Sequence, residues 1–272
     1  MRALCRLFRI RLSLLNGIAA LAGSLLFPAA LGQHILLATF SGVVLLAMAG
    51  SAFNQVLEQD LDRLMIRTRM RPLLNNELTV TVAVFIGICA ALAGSLSLAA
   101  AGGILPVVVG LFTLCWYLAV YTPLKRRTSW ALAVGAVCGA LPPVIGWSAA
   151  GGDPLDFRIM LLAGLMYLWQ IPHFWLFQRR HAEDYHRAGL PLVASGIKGS
   201  APPQLFWLWV VALISSAMLL PAFAVITPVS ALWYSVFPVP LFVLFMIRSE
   251  KMLFSYFNIF PLLVTLALFY QH

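Results

Sequence analysis

Nine apolar stretches, each long enough to cross a hydrocarbon core as a helix of about 20 residues, recur along the whole of a 272-residue chain. They cover approximately residues 12–32, 34–57, 78–101, 103–121, 130–150, 157–178, 204–225, 228–247 and 252–270. Backbone amides in lipid must find partners within the protein, which leaves helices or a closed barrel. The stretches are rich in Gly, Ala and Leu and show no period-two alternation, so the sequence predicts an all-α membrane protein of about nine transmembrane helices. Residues 1–272 form a single integral-membrane domain in this reading. Composition agrees, because 10% charged residues is far below the roughly 25% of a soluble domain. An ordinary soluble enzyme and a disordered chain are both excluded.

Orientation follows from the basic residues, which favour the cytoplasmic ends of spans. Of 18 Lys and Arg residues, 17 fall on one side, among them Arg9, Arg63, Arg127, Arg179, Lys198 and Arg248, and only Arg158 lies opposite. The amino terminus is therefore expected in the cytoplasm and, after an odd number of spans, the carboxyl terminus outside. The net charge of +9 reflects membrane topology, with no nucleic acid implied. The basic start and Ala29-Ala30 also fit a cleaved signal peptide, but the first apolar run exceeds the roughly 7–15 residues of such signals. Cys5, Cys89, Cys115 and Cys138 form no CxxC pair, so neither a disulfide framework nor a zinc site follows.

The two longest polar connections, 58–77 and 179–202, both lie on the cytoplasmic side. Asn54, Glu58 and Asp62 are four residues apart and share one face if the second helix continues beyond the membrane. Arg63, Arg67 and Arg71 form a neighbouring stripe, about 100° away. Such acids could pair with these arginines in a solvated loop. Alternatively they hold a divalent cation, since Mg²⁺ takes one or two carboxylates plus substrate phosphates and arginines bind the remaining phosphate charge. Asn54 lies inside the apolar run, where an unpaired amide is costly, and this favours the second reading. Lys125-Arg126-Arg127 is either a topology anchor or a further phosphate site. Gly135-x-x-x-Gly139 is a close-packing pattern, and Pro142-Pro143 is expected to break or kink its helix beside a cavity. In Trp169-Gln170-Ile-Pro172-His173-Phe174-Trp175 the rings form either an interfacial belt or a pocket for a flat apolar ligand. His173 would then serve as proton donor or acceptor, and Glu183-Asp184 as a second carboxylate site. His34 and His272 receive no role.

In order along the chain stand Asn-x-x-x-acid-x-Asp-x-Asp-Arg from Asn54, Arg-Thr-x-x-Arg-Pro-Leu from Arg67 and Tyr-Thr-x-x-Lys-Arg-Arg-Thr from Tyr121. Gly-Ala-x-Pro-Pro-x-Ile-Gly-Trp from Gly139, Pro-His-Phe-Trp from Pro172 and Glu-Asp-Tyr-x-x-Ala-Gly-x-Pro from Glu183 follow. This set resembles the haem-modifying branch of the intramembrane UbiA-type prenyltransferases, the protohaem IX farnesyltransferases or haem O synthases. The resemblance implies a helical bundle around a central cavity and Mg²⁺-dependent transfer of farnesyl from farnesyl diphosphate to a vinyl group of haem b. It assigns Asn54, Asp60 and Asp62 to the metal and diphosphate, Lys125 and Arg126 to diphosphate, and the His173 region to haem. Asn54, Asp60, Asp62 and His173 are thus the expected catalytic residues. Glu58, Arg63, Arg67, Arg71, Trp175, Asp184 and Tyr185 join Lys125 and Arg126 as expected substrate contacts. Glu58 stands where the family usually has aspartate, and its longer side chain keeps the charge but moves the oxygens. The implied setting is a bacterial inner membrane with the active-site loops facing the cytoplasm, and a haem A synthase or terminal oxidase assembly is the implied protein partner. A quinone-pathway aromatic polyprenyltransferase and a membrane transporter are the competing readings.

Overall fold

The computed structural model describes residues 1–193, 204–226, 232–233, 236–247 and 249–270, and no strand occurs among them. The elements are α1 (Arg2–Leu7), α2 (Ile10–Leu26), α3 (Gln33–Leu57), α4 (Gln59–Leu64), α5 (Val80–Gly102) and α6 (Ile104–Cys115). A π-helical segment, Trp116–Tyr121, then leads into α7 (Thr122–Leu124). There follow α8 (Ala131–Ala149), α9 (Phe157–Arg180), α10 (Ala182–Arg187), α11 (Gln204–Ala222), α12 (Pro238–Ile247) and α13 (Glu250–Phe269). Seven of the expected spans are helices long and apolar enough to cross a bilayer, with α6, the π segment and α7 counted together as Ile104–Leu124. The first expected span is the shorter α2, of 17 residues. The eighth is described only in part, and Lys198, Arg248 and His272 lie outside the described residues.

Helices in lipid associate through close packing, not through a hydrophobic driving force, and small residues set the contacts. In α5, Ala83, Gly87, Ala90, Gly94, Leu98 and Ala101 are buried. Their spacing of three and four makes one stripe, which packs on α3, where a Cβ on Gly94 would meet the Gly42 carbonyl. Phe85, Ile88, Leu92 and Leu96, on the other face, are exposed. Thr79 starts α5 by accepting the Val82 N–H at 3.3 Å, and Asp156 starts α9 by accepting the Arg158 N–H at 2.9 Å. Such caps are worth about 1 kcal/mol each.

The prolines at 142 and 143 do not interrupt α8, contrary to the expected break. Packing against α2 supports the helix there. A Cβ on Gly23 would strike the Pro143 carbonyl, one on Gly146 would strike the Ala20 carbonyl, and Ser24 Oγ donates to the Gly146 carbonyl at 3.0 Å. Gly135 and Gly139 have a different use from the expected helix seam. A Cβ at Gly135 would run into the Tyr121 ring and one at Gly139 into the Gln170 amide, so the pair admits side chains from neighbouring helices. Trp indoles tie the rest together: Trp169 Nε1 donates to the Phe257 carbonyl at 2.8 Å and Trp233 Nε1 to the Ala217 carbonyl at 2.9 Å.

Candidate active site

A cavity of about 410 Å³ extends from the charged end of the bundle into its apolar interior. Its floor is formed by Val43, Leu46, Leu114, Leu132 and Ile145 from α3, α6 and α8. Its mouth is built where α3 passes into α4. Asn54, Glu58 and Asp62 all line it, as their spacing of about one helical turn requires. Asn54 Nδ2 donates to Thr122 Oγ1 at 3.4 Å, and that hydroxyl donates to the Tyr117 carbonyl at 2.8 Å. Glu58 and Asp62 are only 3% and 4% exposed. Each has a cation: Lys125 Nζ lies 2.5 Å from Glu58 Oε1, and Arg71 pairs with Asp62. Burial raises the Asp62 carboxyl above its ordinary value despite Arg71, and burial lowers the Lys125 ammonium despite Glu58. In both groups desolvation outweighs the attraction of the paired opposite charge.

Two walls rise from this mouth. Tyr117 and Tyr121, from the π segment, stack with ring centroids 5.8 Å apart and line the cavity. Opposite, His173 stacks on Trp169 and Phe254 at 5.1 and 5.4 Å, and its buried Nδ1 has no hydrogen-bond partner among the described residues. Gln170 enters between them over Gly139. The two polar loops close the top. Both oxygens of Asp184 accept backbone N–H groups, from Ile66 at 2.9 Å and Arg67 at 3.3 Å. Burial pushes the Asp184 carboxyl up, but those two N–H groups and the Arg67 charge hold it below its ordinary value. Leu61, Met65 and Leu190 pack beneath.

Of the residues expected in the site, Asn54, Glu58, Asp62, Arg67, Arg71, Lys125, His173 and Tyr185 meet around this cavity. Asp60, Arg63, Arg126, Trp175 and Asp184 do not line it. Asp60 lies two residues from both Glu58 and Asp62, which turns it about 200° away on a helix. Its side chain is 63% exposed and paired with Arg126 at 2.7 Å, which lowers its carboxyl below the ordinary value. Trp175 is likewise two residues from His173, is 2% exposed, and packs edge-on against Phe206 at 6.0 Å. Asp184 holds the loop that carries Arg67 and is not itself aimed into the cavity. Lining residues that the sequence reading does not assign to the site include Arg9, Tyr117, Phe254 and Asn258. The first two carry signals that sequence inspection can find, a basic residue beside an apolar run and a Tyr four residues before Tyr121 on one helical face.

Residues 13–268 match the signature of the UbiA prenyltransferase family. A protoheme IX farnesyltransferase of Geobacter sulfurreducens is 56% identical over 96% of this chain and 96% of its own length. Another, from Oleidesulfovibrio alaskensis, is 41% identical over 82% and 78%. Among solved structures, a UbiA homolog from Aeropyrum pernix K1 superposes with a TM-score of 0.70 at 20% identity, covering 95% of this chain and 96% of that one. A UbiA homolog from Archaeoglobus fulgidus, bound to GPP and Mg²⁺, gives 0.67 at 18% identity over 98% of each chain. At those identities the structural likeness speaks to the fold.

Proposed function

The chain belongs to the UbiA prenyltransferase family, and on that premise we propose that it transfers a farnesyl group from farnesyl diphosphate to a vinyl group of haem b, giving haem O and diphosphate. One observation carries the reading at the level of chemistry. Two buried carboxylates, each neutralised by a cation, stand at the mouth of an apolar cavity whose far wall is a stacked histidine.

No group of three or more His, Cys, Asp or Glu able to hold a metal occurs among the described residues. Mg²⁺ characteristically takes one or two carboxylates and completes its shell with water and substrate phosphate. Glu58, Asp62 and the Asn54 amide fit that requirement in company with a diphosphate. When bound, the ion supplies positive charge against the leaving diphosphate. Lys125 and Arg71 would serve as charge-assisted donors to the phosphate oxygens.

Cleavage of the C1–O bond sends its electron pair to diphosphate, where Lys125 and Arg71 stabilise the growing charge. The allylic cation needs a dry aromatic surface, which Tyr117 and Tyr121 supply. Attack by the terminal vinyl carbon forms the new C–C bond and leaves positive charge next to the macrocycle. Water adds there and loses a proton. His173 is the group suited to accept it, or alternatively to ligate the iron, because its Nδ1 has no hydrogen-bond partner among the described residues. We place the enzyme in a bacterial cytoplasmic membrane with this mouth toward the cytoplasm, on the strength of the charge asymmetry. The product would be consumed by a haem A synthase or a terminal oxidase assembly.

The test is incubation of purified protein with haem b, farnesyl diphosphate and Mg²⁺, followed by mass spectrometry of the haem and an assay for pyrophosphate. The expected product is haem heavier by one farnesyl group and one hydroxyl, with pyrophosphate released in equal amount. Pyrophosphate released only with an aromatic quinone precursor would assign the chain to the quinone pathway. Release with neither acceptor would favour transport.

A further inference from the structure

The four cations that line the cavity mouth fall into two groups. Lys125 and Arg71 are matched to Glu58 and Asp62. Arg9 and Arg67 line the same cavity, and neither forms a salt bridge among the described residues. Arg67 is held below its ordinary value by desolvation and next by the nearby Arg9 charge, while the Asp62 carboxylate attracts it without forming a salt bridge.

The fold keeps both in place at a cost. Arg9 sits between α1 and α2 in the left-handed region, at φ 46° and ψ 51°, a conformation unfavourable by about 1–2 kcal/mol for a residue with a Cβ. The break is pinned from neighbouring turns: Ser51 Oγ and Gln55 Nε2 donate to the Leu7 carbonyl at 2.8 and 2.7 Å, and Ser13 Oγ to the Phe8 carbonyl at 2.8 Å. The Arg67 backbone is held by Asp184, while its guanidinium carbon lies 5.2 Å from the centroid of the Phe177 ring. Phe177 stands one helical turn beyond His173, and Phe254 contacts both, at 6.5 and 5.4 Å. An aromatic wall therefore ends in a guanidinium.

That combination suits a flat apolar body with an anionic edge better than it suits a diphosphate, which presents charge without a face. We propose that Arg9 and Arg67 bind the two carboxylate side chains of the tetrapyrrole acceptor, an assignment that rests on haem b being the acceptor. Two guanidinium groups match two propionates, each by charge-assisted hydrogen bonds, and the clamp orients the macrocycle so that one edge meets the diphosphate.

Haem b and its dimethyl ester, in which both carboxylates are neutral, are titrated into the purified protein by absorbance. Wild type should bind haem b about ten- to a hundredfold more tightly than the ester, the size of one or two charge-assisted contacts. Arg67→Gln and Arg9→Gly, the latter chosen because glycine accepts the left-handed backbone, should each remove most of that difference. Both should leave ester affinity and the KM for farnesyl diphosphate unchanged. Equal binding of haem b and ester by wild type, which needs no variant, would overturn the clamp. So would variants that raise only the KM for farnesyl diphosphate. If neither tetrapyrrole binds and no farnesylated haem forms, the haem reading itself fails, a result distinct from the other two.

Discussion

Asp60→Asn and Asp62→Asn, two residues apart on the same short helix, should behave very differently. The Asp60–Arg126 pair is exposed, 63% and 36% for the two side chains, and an ion pair in that setting contributes about 0–1 kcal/mol. Its loss should change turnover less than about threefold. Asp62 is buried and paired with an Arg71 whose side chain is 13% exposed, so removing its charge leaves a largely desolvated guanidinium unmatched. Breaking a fully buried pair costs about 3–5 kcal/mol. The remaining access of Arg71 to the cavity brings the expected loss of stability to roughly 2 kcal/mol. Function should suffer more, because the proposed site loses one of its two buried carboxylates. Removing one preorganised electrostatic partner of a transition state costs about a hundred- to a thousandfold in rate, or about 2.7–4 kcal/mol. The assay is farnesylated haem per unit of protein over a Mg²⁺ titration, with membrane insertion and thermal unfolding measured in parallel. Comparable losses in both variants, both correctly inserted, would refute the assignment of the mouth to the Asn54, Glu58 and Asp62 face.

Three further outcomes can be checked. Burial holds the Lys125 ammonium below its ordinary value, so its charge is lost early as pH rises, and the KM for farnesyl diphosphate should climb on the alkaline side. Lys125→Arg keeps its charge at all accessible pH and should flatten that limb; an identical limb in the variant would remove Lys125 from the phosphate site. His173→Ala should either weaken haem binding and shift its absorption bands, the ligand role, or leave binding intact and slow turnover at least tenfold. Normal binding with normal turnover would reduce His173 to a packed ring. Asp184→Asn keeps one acceptor for the two N–H groups of Ile66 and Arg67 and should raise the KM for haem several-fold with no change in Mg²⁺ dependence. A changed Mg²⁺ dependence would make Asp184 a metal ligand instead.

Most of the bundle is legible in the chain because lipid imposes length and apolarity on each span separately, and seven helices carry that mark without reference to one another. The face of Asn54, Glu58 and Asp62 is legible for a related reason, since a single helix supplies it and a period of 3.6 sorts it. The same arithmetic turns Asp60 and Trp175 away, and the sequence pattern that grouped them with their neighbours is blind to it. Cavity walls are another matter. Gln170 reaches its position because Gly139 lacks a Cβ, and His173 is framed by Phe254 from a helix about eighty residues away. Such pairings depend on how helices are arranged around each other, which hydropathy does not encode. Arg9 reads in the sequence as one of many basic anchors, because nothing in its neighbours announces a left-handed residue.

The π-helical segment gives the molecule a phase control. Within Trp116–Tyr121 the backbone closes to the fifth residue instead of the fourth, so one residue more than an α-helix would use is absorbed before α7 begins. Each helical residue advances the face by about 100°. Everything downstream, Thr122 beneath Asn54 and Lys125 beside Glu58, therefore points where it does by virtue of a single inserted position. Deleting one position there outside Tyr117 and Tyr121 would let the helix wind regularly and swing Lys125 away from the carboxylate without removing a side chain of the site. Length along this stretch is constrained along with the identity of Tyr117 and Tyr121, and drift in the family should tolerate exchanged residues at the other positions between 116 and 121 more readily than lost ones.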